Sequence, residues 1–133
     1  MPLLSARVTR DSANSCVLQL TGLVDDEHTE ETVLNLQSLK EPQGVTHLRL
    51  VKAVHAIQSG LAVMLYWEND KDDHNFLLCL EGRGTLDFEG MGGIADPQDE
   101  GSTGGLVLRT DGALSTPRHF TLVLEFDKQR KRG

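Results

Sequence analysis

The chain has 133 residues, 38% of them hydrophobic and 25% charged, with a formal net charge of −7. That length suits one domain able to bury roughly two thirds of its unfolded surface, so no disulfide or metal staple is required. The composition excludes a disordered chain, no apolar run approaches the ~20 residues of a membrane-spanning helix, and the acidic balance argues against membrane or specific nucleic-acid partners.

The first residues lack a basic start followed by an apolar core, so no signal peptide is expected. Leu4, Ala6 and Val8 alternate with Ser5, Arg7 and Thr9. Asp11-Ser12-Ala13-Asn14 has turn chemistry, and Cys16, Leu18 and Leu20 then resume a period of two. Together they predict a hairpin. Residues 25–39 are ambiguous. Asp25-Asp26-Glu27 can start a helix, which would group Val33 with Leu36; a strand would group Leu34 with Leu36. The β surroundings favour a strand.

Residues 46–56 place Leu48, Leu50, Val54 and Ala56 on one side, interrupted by Lys52. Residues 61–67 and 75–80 are apolar on both faces, and residues 61–67 are expected to form a central strand. Gln58-Ser59-Gly60 and residues 68–73 read as the turns around them. Residues 83–88 predict a short strand, followed by a long ordered loop. Eight glycines fall within residues 82–105. A further strand is expected over 105–109. Residues 119–126 carry the clearest alternation, with Phe120, Leu122, Leu124 and Phe126 on one face. Several short strands divided by turn signals predict an all-β single domain, an antiparallel β-sandwich or jelly roll, over residues 1–127. Lys128, Arg130, Lys131 and Arg132 then form a basic tail over 128–133, which leaves about −11 on the first 127 residues.

No catalytic set is legible. His28, His47, His55, His74 and His119 form no metal-ligand spacing, and no cofactor or metal is expected. His47 and His55 are eight apart, on one face of a regular strand but roughly 26 Å apart. Glu68, Asp70, Asp72 and Asp73 lack the glycine and late glutamate of an EF-hand and read as a solvated turn. Gly101-Ser102-Thr103-Gly104-Gly105 lacks the lysine of a phosphate-binding loop. Cys16 and Cys79 are expected to be buried free thiols, with Cys79 inert in its apolar strand. Tyr66 and Trp67 are adjacent, so only one of them can serve a given sheet face. The chain is not expected to be an enzyme.

Residues 45–130 resemble a family of small virion proteins of tailed phages. The likeness is carried by Val63-Met64-Leu65-Tyr66-Trp67 before an acidic turn, Phe76-Leu77-Leu78-Cys79-Leu80-Glu81-Gly82-Arg83-Gly84, and Leu86-Asp87-Phe88. It continues in Gly92-Gly93-Ile94, Asp96-Pro97, Gly101-Ser102-Thr103-Gly104 and the closing strand at 120–125. The resemblance implies a capsid decoration (cement) protein at the virion surface, bound as a homotrimer between major capsid protein subunits. A neck or tail component and a carbohydrate- or ligand-binding β-sandwich are the alternatives. Backbone groups of Gly92, Gly93, Ile94, Ser102 and Thr103, the cations Lys128, Arg130, Lys131 and Arg132, and an arm at Leu3 and Leu4 are the expected contact residues.

Overall fold

A computed structural model describes residues 3–24, 28–39, 44–71, 73–98, 100–112 and 116–130. Among the described residues, ten strands form two antiparallel sheets: β1 (Leu3–Asp11), β2 (Ser15–Val24), β3 (His28–Leu34), β4 (Val45–Ile57), β5 (Ala62–Asn69), β6 (Asn75–Leu80), β7 (Arg83–Asp87), β8 (Ile94–Ala95), β9 (Ser102–Asp111) and β10 (Arg118–Arg130). The first sheet runs β1-β2-β10-β4-β7, with β8 also on β4; the second runs β3-β9-β5-β6. No α-helix is present among the described residues.

Alternation explains the sandwich. Leu18 and Leu20 of β2 and Leu122, Leu124 and Phe126 of β10 point inward from the first sheet. Val63, Leu65 and Trp67 of β5 and Leu106 and Leu108 of β9 meet them from the second, in one hydrophobic cluster. Trp67 sets its edge against Phe126, with ring centroids 6.1 Å apart, which ties the sheets together. Each such buried side chain contributes about 2 kcal/mol from area removed from water.

The predicted β1–β2 hairpin forms, with Leu3 opposite Leu23 and Asp11 opposite Cys16. The ambiguous segment is extended: β3 is a strand, followed by a short 3-10 turn at Leu36–Ser38. Its ambiguity came from a register slip between Thr32 and Leu34, which leaves the neighbours Val33 and Leu34 both buried. Asp25, Asp26 and Glu27 lie outside the described residues. Central placement of β5 between β9 and β6 agrees with its two apolar faces.

A second slip corrects the reading of β4. Glu125 pairs Lys52 and Phe126 pairs Leu50, so Val51 is the extra residue of a bulge. The inward set is Leu48 and Leu50 before it, then Ala53, His55 and Ile57 after it. Val54 and Ala56 therefore face outward, and Lys52 is not an interruption. His47 and His55 fall on opposite faces for the same reason.

The short strand expected over residues 83–88 forms as β7, but the glycine-rich stretch after it is not one long loop. β7 covers residues 52–56 of β4, a 3-10 turn at Glu89–Met91 steps past the bulge, and β8 covers Arg49 and Leu50. The Phe88 N–H donates to the Val51 carbonyl at 2.8 Å, which satisfies the bulge. Ser102, Thr103, Gly104 and Gly105 are the first residues of β9.

Nor does a tail begin at Lys128. β10 continues to Arg130, with Lys128 opposite Leu48, Gln129 opposite His47 and Arg130 opposite Val45. Cys16 is buried as expected, but Cys79 is exposed, because β6 is an edge strand with its outer face open to solvent.

Candidate interaction surface

The outer face of the second sheet gathers the chain's most chemically varied side chains. On β5, every second residue from Met64 through Tyr66 to Glu68 faces outward, while Leu65 and Trp67 enter the core. On β9, Thr103, Val107, Arg109 and Asp111 occupy the matching outward positions, with Tyr66 opposite Val107 and Met64 opposite Arg109. β3 adds Glu30 and Thr32, and β6 adds Phe76 and Cys79.

Arg109 organises the centre. Its guanidinium lies 4.7 Å from the Tyr66 ring centroid, a cation–π contact, and its Nη1 donates to the phenol oxygen at 3.4 Å. Nη2 donates to Glu30 Oε1 at 2.9 Å, and that bond holds the guanidinium above its ordinary pKa. The same Glu30 oxygen lies 3.6 Å from His74 Nε2. His74 Nδ1 accepts the Asn69 backbone N–H at 2.9 Å, which places the ring proton on Nε2, facing Glu30. Phe76 meets the Tyr66 ring edge-on at 5.6 Å and stays 61% exposed.

Glu68 closes one end. It accepts hydrogen bonds from Thr103 Oγ1 and Thr32 Oγ1, each at 2.6 Å, joining β9 and β3 to β5. Burial alone would raise its carboxyl; the two hydroxyls and His74 outweigh that and hold it below its ordinary value. The result is an aromatic pair and a guanidinium ringed by carboxylates. That composition suits recognition, where Tyr, Phe and Arg at the centre of a patch carry most of the energy. Among the described residues, no three of His, Cys, Asp and Glu are grouped to hold a metal ion.

The expected contact residues that the structure describes lie on several elements. Leu3 and Leu4 belong to the edge strand β1, with their side chains outside the described set. Gly92 caps the 3-10 turn, and Gly93 rests on the Arg49 side chain and the Leu50 carbonyl. Ile94 packs partly against the core. Ser102 donates to Asp96 Oδ2 at 3.1 Å, and Thr103 is held by Glu68, so both hydroxyls are engaged within the fold. Lys128 is buried, with Nζ on Asp11 Oδ1 and on the Ser12 carbonyl, both at 2.5 Å. It is therefore not a solvent-facing contact residue. Lys131 and Arg132 lie outside the described residues, as does the side chain of Arg130.

The central residues of this surface, Glu30, Tyr66, His74, Phe76 and Arg109, were not singled out in the sequence as a group. Alternation does place Tyr66 opposite in direction to Trp67, and the structure agrees: Trp67 is buried and Tyr66 is half-buried on the outer face. No protein-family model matches the chain, and no curated protein matches it.

Proposed function

We propose that the chain is a structural protein of a tailed-phage virion, a decoration protein that binds as a homotrimer between major capsid subunits on the outside of the head. The observation that carries the reading is the strand order. β2-β10-β4-β7 faces β3-β9-β5-β6. That order supports a jelly-roll reading of the sandwich, an architecture that viral capsid and lectin domains use. The resemblance of residues 45–130 to phage virion proteins runs through β5, β6, β7, β9 and β10, strands that build much of the sandwich. Fold alone does not assign a role, so the motif resemblance supplies the virion step.

The test is the position and copy number of the chain in purified particles, by cryo-electron microscopy and quantitative mass spectrometry, with the native mass of the isolated protein. Trimers over the capsid lattice are expected. A ring of six or twelve at the neck would move the protein to the head–tail connection, and absence from the particle would end the virion reading. Particles lacking it are expected to release DNA at lower temperature.

A further inference from the structure

The two sheets do not end together. Two residues join β6 to β7 and three join β2 to β3, so across the ~10 Å between packed sheets β6 lies over β7 and β3 over β2. With the orders β1-β2-β10-β4-β7 and β3-β9-β5-β6, β1 is then left with no strand across from it among the described residues. Burial agrees. Ala6 pairs with Leu20 on the core-facing side of the first sheet, yet Ala6 is exposed while Leu20 is 0% exposed. Val8, beside the buried Leu18, is half-buried.

Glu31 marks the same opening from the second sheet. Glu30 and Thr32 face outward, to Arg109 and Glu68, so Glu31 between them is on the core-facing side, opposite the buried Leu108. It is nevertheless exposed, and it has no ion-pair partner among the described residues. Among those residues β3 pairs with β9 alone, so its other edge turns a row of backbone N–H and C=O groups toward the same opening. The place over β1 is one strand wide. Ala6 and Val8 form its floor, the β3 edge its wall, and the Glu31 carboxylate projects into it.

We infer that this slot takes an extended segment of a partner protein, which adds a strand to β3 and sets a lysine or arginine beside Glu31, with apolar side chains two residues to either side over β1. Only an extended backbone meets a row of N–H and C=O groups at strand spacing, and a carboxylate on the core-facing side selects a cation and rejects a wholly apolar strand. A second copy of the chain fits poorly. Its β3 laid against this β3 would run into the overhanging β1 and bring no cation. Its β1 laid in the slot would offer Ala6 and Val8 on the core-facing side and leave Glu31 buried and unpaired. The inference does not depend on the capsid reading, because the isolated protein must show the binding.

The probe is a fluorescein-labelled Ser-Val-Thr-Lys-Thr-Val-Ser peptide, titrated with the full chain and followed by anisotropy. One control carries Glu for Lys. Two more are N-methylated, one at both threonines and one at both valines, because alternate amides of a strand point to opposite edges. The parent peptide is expected to bind saturably and the Glu peptide at least tenfold more weakly. One N-methylated set should lose binding at least tenfold and the other keep it, since an added strand turns a single edge toward β3. Glu31→Lys, at an exposed position, is expected to reverse the preference between the Lys and Glu peptides while its circular dichroism stays unchanged. No binding of the parent peptide, equal binding of the Lys and Glu peptides, or binding that neither N-methylated set weakens would overturn the inference. So would self-association of the chain that the parent peptide blocks, since the occupant would then be a second copy.

Discussion

Lys128 is the next inward position after Phe126 on β10, and the side chain found there is charged. Its side chain is fully buried and that of Asp11 is 9% exposed. Charges removed from water to this degree persist only when paired, and removing one partner leaves the other uncompensated. Lys128→Met alone is expected to cost about 3–5 kcal/mol, read as a lower urea midpoint. Combined with Asp11→Leu, much of that loss should return; a double variant no more stable than the single one would show that the pair is not the cause. The alternation of Phe120, Leu122, Leu124 and Phe126 already pointed to an inward residue 128. The run of cations after it masked that signal.

Cys16 is the neighbouring case. Burial, and then the Asp11 carboxylate, push its thiol from an ordinary 9.0 up to about 11. The folded state therefore keeps its proton at pH values where the unfolded chain has lost it. The contribution is fully present below about pH 9 and is lost as pH rises towards about 11, amounting to roughly 3 kcal/mol. Denaturation at a series of alkaline pH values should show this slope in the wild type and a shallower one in Cys16→Ala. An equal slope in both would place the alkaline sensitivity elsewhere. Cys79 is exposed, and its thiol is also raised, by burial first and Glu81 second. It should be the only thiol that an alkylating reagent reaches in the native protein, whereas Cys16 reacts on unfolding.

At the scale of elements, period-two alternation revealed nearly every strand and misplaced faces only where the period broke. The bulges at Val33 and Val51 each shift one half of a strand by one residue, and that flips every side chain beyond the slip. No local residue type announces such a slip, because its cause is the partner strand. The short strand expected over residues 83–88 forms as β7, but the stretch after it gives no strand signal for a related reason. The two-residue β8 acquires its identity by pairing with β4, not from its own pattern.

Two adjacent glycines in that stretch have different roles. Gly92 has φ +82° with open space where a Cβ would stand. Gly93 has φ +80°, and a Cβ there would come within 2.6 Å of Arg49 Cγ and 3.0 Å of the Leu50 carbonyl. Gly92→Ala should therefore cost about 1 kcal/mol, the strain of a left-handed backbone. Gly93→Ala adds a clash against β4 and should cost about 1–3 kcal/mol more. Thermal denaturation of the two variants tests the order, and equal losses would mean that Arg49 moves aside freely.

At the scale of the molecule, the sheets were legible but their order was not. β2 and β10 pair over ten positions although about a hundred residues separate them, and nothing in either strand names the other. The candidate surface was hidden for the same reason. Glu30, Tyr66, His74 and Arg109 come from different parts of the chain and meet only once β3, β9, β5 and β6 are laid side by side. The same topology decides what the basic C-terminal residues do. Residues 128–130 complete the edge of the β4–β10 ladder, and Lys128 fastens the β1–β2 turn beneath it through Asp11 and Ser12. A chain stopped after Asp127 loses that ladder and leaves Asp11 without its buried cation. It is expected to melt about 10 °C lower or more. A chain stopped after Arg130 keeps both and should melt with the full-length protein. Any contact that residues 131–133 make with a partner is then measurable in the longer truncation alone, because in the shorter one lost binding and lost stability have the same cause. Equal melting of all three chains would show that neither the Lys128–Asp11 pair nor the last rungs of the ladder stabilise the fold.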